Sequence, residues 1–342
     1  MIYYCIFYSD YVGMRLTGSI TTSISSLSEG VFWDFQDEQL SKDILQYYNF
    51  NKSLFPQINP VFSEHGTVEK GVADALGLVA GIPVTYKSGD QPNNALSLNV
   101  LKPGEVAATA GTSGVIYGIS DKLVFDPQSR VNTFAHVNYT RNQKRLGVLL
   151  CINGTGSINR WIKDIAGTGI TYADMNEMAE KIAIGSNGLR VLPFGNGAER
   201  MLNNKIVGTH FHHIDLNTHT KAHLFRAVQE GIAFAFRYGL DIMRENGMNP
   251  NIIRAGKANL FLSDTFTEAF LNATHVPVEL YRNDGSVGAA LGAGIGVRAF
   301  KSEEEAFTNS EKLQIVEPNA VSQYEPVYQE WKALLEKQLH EV

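Results

Sequence analysis

The chain has 342 residues, 44% of them hydrophobic and 19% charged, with a formal net charge of −6. That balance argues against a protein whose business is nucleic acid or an anionic membrane, and the length suits two domains of ordinary size. Two cysteines, Cys5 and Cys151, are too few for a disulfide framework, so a reducing compartment is expected. The apolar opening Met1 to Tyr8 lacks the basic flank of a signal peptide, and no apolar run is long enough to span a bilayer. A cytoplasmic protein follows as the expectation.

In chain order, the spacing of Tyr8, Tyr11, Val12 and Leu16 predicts a helix stopped at Thr17-Gly18. The Ser/Thr run Ser19 to Ser28 reads as loop, and Val31-Phe32-Trp33 as strand or turn. Leu40 to Tyr48 reads as a short amphipathic helix, and His65 to Ala80 contains a second. The apolar run Gly81 to Tyr86 reads as a strand that ends just before Asp90, with a helix expected over Asn94 to Val100. Strand, helix, strand in this order is α/β grammar.

Next comes Val106 to Ala108 and Val115 to Tyr117, two short strands around the turn Gly111-Thr112-Ser113-Gly114. Two glycines flanking two hydroxyls give a loop able to aim backbone N–H and O–H donors at one anion, as phosphate requires. The same residues are also ordinary hairpin chemistry. Asp90, close before Pro92, reads either as a helix cap or as a base facing that turn across a cleft.

Further strands are expected at Phe134 to Val137 and Leu146 to Ile152. The segment Asn153 to Ile158 should open a helix through Trp161 and Ile165, with its glycines and hydroxyls serving as cap or anion donors. Tyr172 to Ile184 reads as helix and Gly188 to Phe194 as strand. Leu224 to Glu245 is the longest amphipathic helix, closed by Asn246-Gly247. A strand at Ile252-Ile253, a helix over Asp264 to Ala273 and a strand over Val276 to Leu280 lead into the small-residue helix Gly285 to Gly296. From Ser302 the chain is charged, ending in an amphipathic helix over Tyr328 to Leu339. Five histidines between His210 and His223 match no common zinc spacing and read as a polar loop; no metal ligand is assigned.

Taken together these segments resemble the FGGY carbohydrate kinases and, within them, the xylulokinases, from about Ser9 to Gly296. Ser9 to Gly18 is similar to the family's kDYlryrLTG segment, and Thr22 to Ser26 falls where the family has tD.SdAS, without its acidic residue. Ser88-Gly-Asp-Gln91 resembles GGGDQ, and Ala108 to Gly114 resembles the lGTSG phosphate loop. Leu192 to Arg200 is similar to LPyl.GER.P, and Gly285 to Gly292 to the GaalGAA helix that lines the adenosine site. Two departures stand out. The adenosine loop GGGAkS is replaced by Arg254 to Ser263, where Gly256 survives. The family's opening Asp-x-Gly-Thr strand has no counterpart, and Met1 to Phe7 does not resemble the family.

The resemblance implies an α/β, two-domain actin-like ATPase or ribonuclease H-like fold whose first domain is truncated. Residues 1–101 would be the remnant of the sugar-binding domain, 102–300 the nucleotide-binding domain and 301–342 a charged tail and helix. It implies an ATP- and Mg²⁺-dependent kinase phosphorylating D-xylulose to D-xylulose 5-phosphate. Ribulose, gluconate or glycerol kinases and a non-catalytic nucleotide-binding remnant are the alternatives. Asp90 would be the catalytic base, with Gln91 beside it on the sugar. Gly111, Thr112, Ser113, Gly256, Lys257 and Asn259 would bind ATP. A small sugar is the expected partner, with a homodimer possible and neither nucleic acid nor membrane involved. Without the opening strand, little or no turnover is expected of this chain alone.

Overall fold

The computed structural model describes residues 4–282 and 284–342. Met1 to Tyr3, the start of the apolar opening, and Asn283 lie outside them.

The first part of the chain is built from short pieces. They are α1 (Tyr8–Thr17), β1 (Thr21–Thr22), α2 (Ile24–Glu29), β2 (Trp33–Asp34), β3 (Gln39–Leu40), α3 (Lys42–Tyr47), β4 (Gln57–Ile58), α4 (Lys70–Leu76) and α5 (Asp90–Ser97). The helix α1 stops where expected: Gly18 adopts φ +69° and returns its N–H to the Met14 carbonyl. The Ser/Thr run is not a loop. Thr21–Thr22 pairs in parallel with Gln57–Ile58, and Ser23 caps α2 by accepting the Ser26 N–H. The run Gly81 to Tyr86 is not a strand either. It makes isolated bridges, Thr67 with Pro83 and Phe62 with Tyr86, and backbone bonds to the His65–Val68 stretch, while Pro83 in its middle has no N–H to give a regular ladder.

A seven-stranded sheet organises the remainder. In chain order its frame is β5 (Glu105–Ala110), β6 (Gly114–Ser120), β7 (Asn132–Ala135), β8 (Leu146–Ile152), α6 (Gly156–Ile165), α7 (Tyr172–Glu180), β9 (Arg190–Phe194), β10 (Gly208–His212), α8 (Lys221–Glu245), β11 (Ile252–Gly256), α9 (Asp264–Thr274), β12 (Val278–Tyr281), α10 (Gly285–Gly296), β13 (Lys312–Val316) and α11 (Val321–Glu341). Sheet order is β13-β12-β11-β5-β6-β8-β7, with β11 parallel to both β12 and β5 and the other pairs antiparallel. The five histidines do not share one loop: His210 and His212 lie on β10, which pairs with β9 in a separate two-stranded ribbon, His223 lies in α8, and His213 and His219 lie in the connection between them.

The core lies between this sheet and α8, whose Phe236 meets Phe266 and Phe270 edge to face, as Phe261 meets Phe270, while Phe234 packs against Tyr328 and Trp331. The C-terminal segment, whose charge reads as a tail, is part of that core. β13 hydrogen-bonds the edge of the sheet, and Tyr324, Tyr328, Trp331 and Leu335 of α11 are fully buried.

Among the contacts that join the sheet and its helices to the first part of the chain, two bear on the site. The Ser28 hydroxyl accepts the Ala135 N–H at 2.8 Å, tying α2 to β7. Helix α10 packs its glycines directly on α5 and on the segment before it. A β-carbon at Gly288 would lie 2.6 Å from the Asn93 carbonyl, one at Gly292 2.8 Å from the Tyr86 ring and one at Gly296 2.0 Å from the Thr85 carbonyl. Only glycine lets the two helices approach so closely.

Candidate functional site

The hairpin Gly111 to Gly114 joins β5 to β6, with Ala110 opposite Gly114. Its floor is the start of α6. The Gly156 N–H donates to the Gly111 carbonyl (2.9 Å), the Ser157 N–H to the Thr112 carbonyl (3.2 Å) and the Thr155 hydroxyl to the Gly111 carbonyl (3.0 Å). A side chain at 156 would strike the turn, since its β-carbon would sit 2.3 Å from the Gly111 oxygen. The expected opening of a helix in Asn153 to Ile158 is therefore met, and its job is to brace the turn from below.

Glu199 fixes this brace from the other side. Its side chain is 0% exposed, and both carboxylate oxygens accept the Asn153 N–H at 3.0 Å. Burial pushes its carboxyl up to about 7, against the pull of the Asn153 and Gly154 N–H groups. The sign is that of an acid stabilised by its proton in the folded state. Stability from Glu199 is present below its unfolded value near 4.5 and is lost as pH rises towards about 7. Relative to Glu199→Gln, the wild-type chain is expected to lose on the order of 3 kcal/mol between pH 4.5 and 8. Urea denaturation of both proteins across that range measures it, and a parallel pair of curves would refute it.

Above the hairpin opens a cavity of about 600 Å³. Gly111, Thr112 and Asn259 line it, together with Arg160 of α6 and Tyr172 and Asn176 of α7. A smaller cavity of about 190 Å³ continues from Asn259 to Gly256, bordered by Asn94 and Ser97 of α5 and by Asp284 and Gly285. Asn259, at φ +54°, lines both, and its amide lies 3.7 Å from where a β-carbon of Gly111 would be. Of the six residues expected at ATP, Gly111, Thr112, Gly256 and Asn259 thus come together. Ser113 and Lys257 line neither cavity, and the Lys257 ammonium points to the Gln314 side chain at 3.4 Å. Arg160, Tyr172 and Asn176 escape the sequence reading, because only the fold brings their helices to the hairpin.

Asp90 is the first residue of α5; the cap position belongs to Gly89 and no side chain caps the helix, so Asp90 is not the cap it could have been and stands as an acid in the first turn. Its carboxylate is exposed and accepts the Gln91 N–H at 2.7 Å and the Gln91 side-chain amide at 3.4 Å. It lines a third cavity of about 490 Å³ with Tyr8, Ser9 and Val12 of α1 and with Tyr86 and Asn93. Cys151 of β8 pairs with Val115, the second residue of β6; its thiol is raised chiefly by desolvation and lowered by Arg200, with Asp90 and Glu199 raising it further.

The segment before Asp90 is anchored by a buried ion pair. Lys87 Nζ lies 2.9 Å from Asp10 of α1 and donates to the Thr21 carbonyl at 2.6 Å and hydroxyl at 3.0 Å. Removing either partner alone would leave an uncompensated buried charge. Beside Gly89 stands a further carboxyl, Glu29 at the end of α2, pushed up to about 7 by burial and then by Asp90.

The N-terminal domain profile of the FGGY family of carbohydrate kinases matches residues 1–97, and its C-terminal domain profile matches 106–297. A xylulose kinase of Staphylococcus xylosus is 25% identical, covering 97% of this chain and 69% of its own length. One from Lactococcus lactis is 25% identical over 94% of this chain and 64% of its own length. Among solved structures, the xylulose kinase of Rhodospirillum rubrum superposes with a TM-score of 0.86 at 25% identity, over 97% of this chain and 67% of that one. The gluconate kinase of Lactobacillus acidophilus has the same fold, with a TM-score of 0.88 at 18% identity over 98% and 68%. This chain spans between about half and about two thirds of the length of the first curated relatives it matches. Its architecture is the two-domain, actin-like ATPase or ribonuclease H-like fold of those structures, and by the match of both profiles the chain belongs to the FGGY family of carbohydrate kinases.

Proposed function

We propose that the chain is an ATP-dependent sugar kinase of the xylulokinase type, transferring the γ-phosphoryl group to the terminal hydroxyl of D-xylulose. The observation that carries this reading is the exposed Asp90 carboxylate. It opens α5 and lines a cavity of its own with residues of α1. The names of the relatives support the ketopentose as acceptor.

Phosphoryl transfer asks for positioning and charge stabilisation more than covalent chemistry. In this reading Asp90 takes the proton of the attacking hydroxyl, and Gln91 holds the Asp90 carboxylate and the sugar. The Gly111 and Thr112 N–H groups and the Thr112 hydroxyl hold phosphate oxygens, with Ser113 completing the turn. Gly256 and Asn259 border the nucleotide, with Lys257 next to Gly256 in the chain. Among the described residues no group of three or more His, Cys, Asp or Glu is arranged to hold a metal. In this reading Mg²⁺ would come bound to the nucleotide phosphates and would offset their charge there.

A coupled assay with ATP, Mg²⁺ and, in turn, D-xylulose, D-ribulose, D-gluconate and glycerol tests the proposal, with D-xylulose expected to react best. Phosphorylation of another acceptor in preference would replace the substrate. ATP binding with no transfer to any acceptor, indifferent to Asp90→Ala, would make the chain a nucleotide-binding protein instead.

A further inference from the structure

Glu29 has no place in the machinery described so far, yet its position is tightly built. It closes α2, a helix held at its start by the Ser23 cap and near its end by the Ser28 bond to Ala135. Its carboxylate packs on the backbone of Gly89. A β-carbon at 89 would lie 2.1 Å from Oε2 and 2.2 Å from Oε1, so glycine at this position is what admits it. One of its oxygens, Oε1, is enclosed and has no hydrogen-bond partner among the described residues.

The groups that face it come from three directions. Asp90 begins α5, Tyr86 lies in the segment before it, and Tyr117 comes from β6. Both phenols are raised chiefly by burial, with Glu29 adding to each. An enclosed carboxylate oxygen without a donor, set beside a second carboxylate, is costly while charged. A proton on Glu29 removes that cost. The two carboxyls also sit at opposite kinds of helix end: Asp90 at the start of α5, with an N–H to accept, and Glu29 at the end of α2. Pairs whose surroundings differ in this way divide acid and base roles between them.

We propose that Glu29 is a positioning residue for Asp90: the Glu29 carboxyl enclosed against the Gly89 backbone and the neighbouring Asp90 carboxyl form a coupled pair across the α2–α5 junction, in which the charge on one sets the proton affinity of the other. The inference rests on the reading of Asp90 as that base. It places the pair's change of state near neutrality, because burial and Asp90 together push Glu29 up to about 7. Coupling between two sites is reciprocal, so each carboxyl must register the loss of the other.

The test is a ¹³C NMR titration of the aspartate and glutamate carboxyl carbons from pH 4 to 9 in wild-type, Glu29→Gln and Asp90→Asn chains, with D-xylulose binding measured on the wild type. Asp90→Asn is expected to lower the Glu29 midpoint by about one pH unit, and the Asp90 carboxyl carbon to show an inflection at the Glu29 midpoint that Glu29→Gln abolishes. Gln reproduces the shape of protonated Glu, and Asp90 is exposed, so one folded variant is enough to read the coupling. A Glu29 midpoint that Asp90→Asn leaves in place, or an Asp90 inflection that survives Glu29→Gln, overturns the pair. Coupled midpoints in a chain that binds no D-xylulose retain the pair and overturn the sugar-kinase reading. Bound D-xylulose with uncoupled midpoints overturns the pair alone.

Discussion

Asp90→Asn is expected to slow phosphoryl transfer to D-xylulose by about 10²–10⁴-fold while leaving ATP affinity unchanged. Asparagine keeps the shape of the side chain and an oxygen to accept the Gln91 N–H, so the first turn of α5 keeps its local bond. What it lacks is the ability to take a proton at neutral pH. The cavity above the hairpin shares no lining residue with Asp90, which is why nucleotide binding should not move. Single-turnover transfer from radiolabelled ATP, with the chain in excess, reads even a slow reaction, and calorimetry reads the affinity. An unchanged rate would remove Asp90 from the chemistry.

Trp331→Ala is expected to cost about 3–5 kcal/mol of folding stability. The indole is 0% exposed and sits among Phe194, Phe234 and Tyr328, with ring centroids 6.0 to 6.1 Å away. Its Nε1–H donates to the Val191 carbonyl at 2.7 Å, and truncation leaves that buried oxygen without its donor. Val191 belongs to β9, against which Gly231 of α8 also packs, a β-carbon there falling 2.3 Å from the same carbonyl. The loss would therefore loosen three elements at once. Urea denaturation of the variant beside Trp331→Phe, which keeps an aromatic ring, separates packing from the hydrogen bond. A change below about 1 kcal/mol would show that α11 is an appendage rather than part of the core.

Elements whose stabilising pattern lies within their own residues were legible from sequence. α8 has an apolar face along Val228, Ile232, Phe236 and Leu240 and ends at Asn246 with Gly247 in the left-handed region. The hairpin of β5 and β6 has its turn residues between β-branched flanks. Elements held by distant partners were not legible. α2 depends on a Ser28 hydroxyl that meets Ala135, 107 residues away, and polar composition alone gives no hint of it. The stretch Gly81 to Tyr86 has the composition of a strand, but Pro83 interrupts its donors, so it makes bridges to Phe62 and Thr67 in place of a ladder. β10 exists because β9 offers it an edge, which outweighs the weak local preference of a histidine run.

The candidate site divides along the same line. Asp90, Gly111 and Thr112 are found from short motifs, since turns and helix starts leave local signatures. Arg160, Tyr172 and Asn176 lie on helices that only tertiary packing gathers. Lys257 shows the converse: a residue next to the right glycine can still turn its side chain to β13.

The glycine seam between α10 and α5 has a mechanical consequence. By sequence α5 is the last piece of the first domain, yet it is bolted to a helix of the second, with Asn93 donating to the Gly285 carbonyl at 2.8 Å and the Thr85 hydroxyl to the Ala293 carbonyl at 2.7 Å. Should the two halves hinge, Asp90 would ride with the nucleotide half as cargo, and the acceptor would have to be delivered to it.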